Sequence, residues 1–330
     1  MSLLEIDDLH VGIVPRRGPE AAIVRGISVS VERGQKIALV GESGCGKSVT
    51  ALAIMRLLRG VLRVSAGRVL LDGVDVLQLS ERQMNKVRGA RIGMIDQNPM
   101  SALNPVQTIG AQLVEALRLH SNLSRRDART RAIELLAEVG VSRPEKRIGA
   151  YPHEFSGGMR QRVVIAMALS GEPNLVIADE PTTALDVTTQ ARIMDMLAQL
   201  AADRALAVLL ITHDLGVAAG FCDEVHVMYA GRIVERADVD ALFARPVHPY
   251  SEALLSSVCD LSTPIDSPVP SIGGQPPLPG ELEGVCSFSP RCRYAEDICR
   301  RERPQLSAVP SALVACHFAL ERSVSTDGRV

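Results

Sequence analysis

The sequence predicts an α/β fold: a core with a mixed sheet, a helical subdomain and a small Cys-rich C-terminal region. Three observations predict it. A short apolar run, Lys36–Val40, leads into the glycine-rich string GESGCGKS, Gly41–Ser48, and apolar residues at helical spacing follow from Val49 to Leu58. From about 98 to 170 the pattern turns helical, and strand–helix alternation returns over 171–250, as in a doubly wound sheet. Beyond that, a Pro- and Gly-rich stretch, Ser262–Gly284, reads as a linker or extended arm leading to clustered cysteines. These shifts predict a core of 1–97 and 171–250, a helical subdomain of 98–170 and an extension of 251–330. A chain of 330 residues has ample material for a core.

The elements follow in order. Val69-Leu70-Leu71-Asp72-Gly73 reads as a strand entering a turn. Ile109 to Leu119 carries apolar residues three and four apart. Ser124 caps a helix that runs to Val139 and that Gly140 stops. Ser156-Gly157-Gly158 precedes a helix from Met159 to Leu169. Asn174 to Ala178 is a buried strand ending in Asp179-Glu180, and Ala207 to Ile211 is another, ending in Thr212-His213-Asp214.

The strand–loop–helix context gives the glycine-rich string its chemistry. Glycines let the backbone curl so that successive N–H groups face an anion, and the following helix adds its positive end. Gly41, Ser43, Gly44, Cys45, Gly46, Lys47, Ser48 and Val49 are the expected nucleotide-binding residues. Lys47 would neutralise β- and γ-phosphate charge, and the Ser48 hydroxyl would ligate Mg²⁺. Cys45 is either a reactive thiol or a small filler. Asp179 would hold Mg²⁺ through water, with Glu180 as general base. His213, at a strand's end, would touch the γ-phosphate. Ser156, Gly157 and Gly158 form either a second anion-binding helix N-terminus or a plain helix cap.

A net charge of −2 gives no drive toward nucleic acid. No run of about eighteen apolar residues is present, and the start MSLLEIDDLH lacks a signal peptide's layout. The expectation is a cytosolic protein that meets a membrane through partners. Of seven cysteines, Cys45, Cys222 and Cys259 are scattered. Cys286, Cys292, Cys299 and Cys316 cluster, with five, six and sixteen residues between them. Cytosolic chains do not keep structural disulfides, so an iron–sulfur cluster, a zinc site or unligated thiols are the open readings. His317 is either a substitute ligand or a neutral structural histidine.

In order and content, GESGCGKS, Gln97, FSGGMRQR, LVIADE, Ala184-Leu185-Asp186 and His213 resemble the ABC ATPases. The family's LSGGQ signature is changed here by Phe155 and Met159, with Ser156-Gly157-Gly158 intact. The resemblance implies two such domains packed head to tail, the signature of each capping ATP held by the other. It implies that Gln97 contacts metal and water and transmits movement, and that Asp186 lies at the nucleotide site. PMSALNP, DEPTTALDVTTQA, YPHEFSGGMRQRVVIAMAL, VMYAGRIVE and HPYSEALLSS look like the D-type ATP-binding subunit of dipeptide and oligopeptide importers. That likeness implies a second, different ATPase subunit, two membrane permeases, an external substrate-binding protein and a site on the cytoplasmic face of the membrane. In the tail CSFSPRCRYAEDICRRERPQL it implies a [4Fe–4S] cluster on Cys286, Cys292, Cys299 and Cys316. Import of nickel or another small solute, a soluble ABC ATPase and a phosphate-loop kinase are the alternatives. Two departures stand out: Asp96 replaces the usual aromatic before Gln97, and no aromatic precedes Tyr151 to stack on adenine. His10 or an aliphatic lid near Val11 to Ile13 would serve instead.

Overall fold

The computed structural model describes residues 2–15, 20–183, 185–257 and 272–324. Cys259 and Ala184, and the Ser262–Gly284 stretch up to residue 271, lie outside the described residues. The chain forms two compact units, one of Met1–Leu4, Val31–Lys36 and Leu70–Ile211, the other of Glu5–Ser30, Ile37–Val69 and Thr212–Val330.

In the first unit, Ile92–Ile95, Leu175–Asp179 and Ala207–Thr212 lie side by side as parallel strands. Every residue of the latter two is buried, as expected of strands covered on both faces. The register sets Asp179 beside Ile211, at the strands' carboxyl ends. The helices form where the apolar spacing and caps place them. Ile109–His120 starts on the Thr108 hydroxyl, and Arg125–Glu138 starts on Ser124. Gly140, at φ 74°, stops the latter, and the Arg162 guanidinium donates to the adjoining Val139 carbonyl at 2.5 Å. Leu113, Leu117, Ala128, Ala132, Leu135 and Leu136 bury the facing surfaces. After Leu71 the expected turn is a hairpin on Asp72 and Gly73, both at positive φ.

In the second unit, Lys36–Val40 pairs parallel with Glu224–Tyr229. Glu224–Tyr229 pairs antiparallel with Arg232–Asp238, which continues to Ala312–Val314 and Ser307–Val309. The alternation expected over 171–250 is therefore broken once. Ala230 and Gly231 both adopt positive φ (46° and 83°), the geometry of a two-residue hairpin turn, and no helix intervenes. The helix expected from Val49 to Leu58 runs instead from Lys47 to Ile54, because the phosphate loop's own end is helical and Arg56, at φ 51°, ends it. The signature helix likewise begins two residues early, at Gly157. No helix among the described residues is long and apolar enough to cross a membrane.

Pro249–Ser256 is fixed from its first turn. The buried Glu235 carboxylate accepts from the Val247 and His248 N–H groups at 2.8 and 2.9 Å. The His248 ring nitrogen Nδ1 caps the helix, accepting from the Tyr250 N–H at 3.0 Å. Burial pushes His248 down to about 3. The unfolded chain then binds more protons than the folded one between about pH 3 and 6.5, so this residue's contribution is lost as pH falls through that window, about 2 kcal/mol by pH 5. His248→Asn, which keeps a capping oxygen, should lose less melting temperature between about pH 7 and pH 5 than the wild type. Glu235, raised by burial, works in the opposite sense but is present in both proteins, so the difference isolates the histidine. Equal acid sensitivity would refute the assignment.

Candidate functional site

The phosphate loop starts where a buried strand ends. Gly41 sits at φ 153° and Gly46 at φ 112°. A Cβ at Gly41 would lie 2.2 Å from the Met228 carbonyl oxygen, and one at Gly46 would lie 2.8 Å from Met228 Cε. Gly41 demands glycine for space as well as dihedral, since the clash is with backbone, and Gly46 demands it for its dihedral. Lys47 is 5% exposed, and its Nζ donates to the Gly41 and Glu42 carbonyls at 2.7 and 3.0 Å. The ammonium thus spans the curl of its own loop. Gly46 caps the helix without a side-chain bond, and Ser43, Gly44 and Ser48 form the exposed rim, with Val49 half-buried behind them. Cys45 is the buried filler: burial raises its thiol, against the pull of Lys47 at 3.8 Å. His213, at the end of Ala207–Thr212, is exposed in this unit beside Asp214, which caps Leu215–Phe221.

Sequence reasoning missed how this loop is tethered. The Glu42 N–H donates to the Tyr250 hydroxyl at 2.8 Å. The Glu42 carboxylate takes both arms of the Arg291 guanidinium, at 2.7 and 2.9 Å. These partners lie 208 and 249 residues along the chain, beyond any local pattern.

The other unit holds the carboxylates, Gln97 and the signature. Asp179 closes its strand, 7% exposed. Glu180 follows at φ 46°, a costly conformation for a side-chain-bearing residue, held by its N–H to the Ile211 carbonyl at 2.8 Å. Its Oε2 accepts from Gln97 Nε2 at 2.7 Å and from the Thr183 hydroxyl at 2.9 Å. The structure therefore joins the predicted base to the predicted glutamine across 83 residues of sequence. Asp96 is exposed there, its carboxylate 3.4 Å from the Asn98 N–H that donates to it.

Ser156 caps Gly157–Leu169, accepting from the Met159 N–H at 3.4 Å. Phe155, 3% exposed, anchors the turn in the core, while Ser156 and Gly157 face outward. A Cβ at Gly158 would lie 2.5 Å from Thr189 Cγ2, so the signature turn packs on the segment that follows the carboxylates. Asp186 caps Val187–Asp203, and hydrogen bonds from Thr188 and Thr189 hold its carboxyl well below the usual range. In the strand Leu4–Ile13, Val11 is fully buried and His10 lies 3.1 Å from the Asp8 carboxylate, so Val11 offers no stacking face.

In the C-terminal region, Cys286, Cys292, Cys299 and Cys316 line one small cavity with Phe288 and Phe318. Burial raises the thiols of Cys286 (to about 11), Cys292 and Cys316. His317 instead lies 3.0 Å from the Glu302 carbonyl oxygen. Among the described residues, no group of three or more His, Cys, Asp or Glu is spaced to hold a metal ion.

Residues 24–183 match the ABC transporter family, and 234–299 match the oligopeptide/dipeptide transporter C-terminal region. The probable peptide ABC transporter ATP-binding protein y4tR of Sinorhizobium fredii is 49% identical, over 95% of this chain and 94% of that protein. The oligopeptide transport ATP-binding protein AppD of Bacillus subtilis is 46% identical, over 92% and 93%. The dipeptide transport ATP-binding protein DppD of Escherichia coli is 42% identical, over 97% and 98%. Among solved structures, the ATP-binding cassette MJ0796, dimeric and bound to ADP and Pi, superposes with TM-score 0.64 at 26% identity, over 72% of this chain and 98% of that one. The cassette cbiO1 of Clostridium perfringens, part of a cbiONQ transporter complex, also gives 0.64 at 26%, over 74% and 91%. With its phosphate loop, carboxylate strand and serine-capped helix set in that fold, the chain belongs to the ATP-binding subunits of ABC transporters.

Proposed function

We propose that this chain is the ATP-hydrolysing motor subunit of an ABC importer for dipeptides or oligopeptides. The observation that carries the reading is the Gln97–Glu180 contact at the end of the carboxylate strand, in a chain whose relatives are peptide transport ATP-binding proteins over nearly their full length. Gly41, Ser43, Gly44, Cys45, Gly46, Lys47, Ser48 and Val49 would cradle the triphosphate, the backbone N–H groups and Lys47 meeting its charge. Ser48, Gln97 and Asp179 would hold Mg²⁺, which supplies charge neutralisation across the β- and γ-phosphates. The Glu180 carboxylate takes a proton from water oriented by Gln97. The water oxygen bonds to the γ-phosphorus as the bond to the ADP oxygen breaks. The strained Glu180 backbone fixes the carboxylate's direction. His213 would contact the γ-phosphate. Ser156, Gly157 and Gly158, with Asp186 on the segment that packs on Gly158 through Thr189, would close a site whose nucleotide is held by a second ATPase subunit.

The finer assembly belongs to the same proposal. The second ATPase is a different chain, two permeases span the membrane, and a substrate-binding protein delivers cargo from outside. The motor then sits on the cytoplasmic face. The Gln97 region, up to about Leu103, receives the permease; residues 98–170 form the helical subdomain and 251–330 the extension. A related importer for nickel or another small solute would use the same machinery. Within the extension, the four thiols lining one cavity support a [4Fe–4S] cluster as a structural staple. The donor chemistry fits; the sulfurs would have to converge, since no three are spaced for a metal as they lie.

Two experiments test this reading. Glu180→Gln should bind ATP as the wild type does, accumulate an ATP-bound closed dimer and turn over at least about a hundredfold more slowly. Wild-type turnover would remove Glu180 as the base. Anoxically purified protein should be brown and carry about four iron atoms per chain. Colourless protein with zinc, or with no metal, would replace the cluster by the zinc or the unligated reading.

A further inference from the structure

We propose that Arg291 is a positioning residue for nucleotide binding: reaching from the cysteine-bearing C-terminal region, it neutralises Glu42 within the phosphate loop and so sets that loop's affinity for a triphosphate. This rests on the reading of Gly41–Ser48 as the nucleotide site.

Glu42 presents an electrostatic problem. It is a carboxylate at the second position of a loop whose task is to receive a highly charged anion, and like charges in a partly desolvated site repel. Arg291 meets its charge with both arms of the guanidinium. Arg291 donates Nη1 to Oε2 at 2.7 Å and Nη2 to Oε1 at 2.9 Å, the paired geometry that makes arginine–carboxylate contacts directional. The Arg291 side chain is 3% exposed and Glu42 is 29% exposed, so the pair is largely withdrawn from solvent.

The guanidinium is itself aimed by several partners. It donates to the Ile272 carbonyl at 3.1 Å and the Gly273 carbonyl at 2.8 Å, and lies 5.8 Å from the Tyr229 ring centroid. Its backbone N–H closes a turn onto the Phe288 carbonyl at 2.9 Å. Phe288 packs edge-on against Tyr229 and tilted against Tyr250, with centroids 5.2 and 5.4 Å away. Tyr250 in turn accepts the Glu42 N–H, and the Glu42 carbonyl accepts from Lys47 Nζ. Glu42 is therefore the node at which the C-terminal region grips the loop that carries the phosphate-binding lysine. Cys292, which follows Arg291 in sequence, lines the thiol cavity.

A buried charge pair differs from a simple packing contact in one testable respect. Removing Arg291 leaves an uncompensated negative charge on the phosphate loop, whereas removing both charges does not. Binding of a fluorescent ATP analogue with Mg²⁺ should be measured on the full chain for wild type, Arg291→Gln, Glu42→Gln and the double variant, at low and high salt, with melting temperatures recorded alongside. Arg291→Gln should weaken binding about tenfold, more at low salt than at high. Glu42→Gln should bind more tightly than wild type, because Arg291 is left uncompensated, and the double variant should return to within about threefold of wild type. A double variant as weak as Arg291→Gln would overturn the proposal, as would unchanged affinity in Arg291→Gln. Should Arg291→Gln not fold, Glu42→Gln decides alone: tighter binding than wild type, most marked at low salt, supports the charge account, and equal or weaker binding overturns it. Failure of the wild type to bind the analogue would defeat the nucleotide reading itself; binding by the wild type without the charge compensation defeats only this inference.

Discussion

The chain is organised by the need to hold concentrated negative charge on backbone N–H groups without burying an unmatched cation. The curl of Gly41–Ser48 meets that need only because glycine occupies position 41, where a Cβ would strike the Met228 carbonyl. Lys47 waits inside the curl on the loop's own carbonyls, so its ammonium stays hydrogen-bonded within the protein. The buried strand Lys36–Val40 supplies the rigid base, and the helix Lys47–Ile54 starts at Gly46 with no side-chain cap and its positive end at the loop.

The first unit, Leu70–Ile211 in its larger part, solves the complementary problem, keeping a carboxylate oriented at a strand end. Glu180 adopts a left-handed backbone and is restrained through its N–H and its side chain together. Strain of this kind persists only where surrounding contacts over-determine it, and here Ile211, Gln97 and Thr183 do so. The signature turn is built with the same economy of parts. Phe155 supplies the buried anchor, Ser156 the cap, and Gly158 the clearance against Thr189. A phenylalanine in place of leucine at this anchor keeps an apolar plug, so the departure from the usual signature leaves the turn's geometry to the serine and glycines.

Much of this was legible because it is local. The glycine-rich loop, the Asp179-Glu180 strand end and the helices starting at Thr108, Ser124 and Ser156 follow from residues within a few positions of one another. Local dihedrals defeated the pattern in two places. Arg56 ends the phosphate-loop helix before its apolar spacing runs out, and the Ala230-Gly231 turn replaces a crossover helix with a hairpin. Long-range contacts were not legible at all. Nothing near Glu42 announces Tyr250 or Arg291, and the cavity shared by four cysteines depends on chain reversals that spacing cannot specify.

In the proposed function, one nucleotide is gripped by the loop of one ATPase subunit and sealed by the serine–glycine turn of its mate. A cryo-EM structure of the whole transporter trapped with MgATP tests it most directly. Ser156 Oγ and the Gly157 and Gly158 N–H groups should lie within hydrogen-bonding reach of a γ-phosphate held by the opposing subunit. A turn that stays open to solvent, remote from every bound nucleotide, would contradict it.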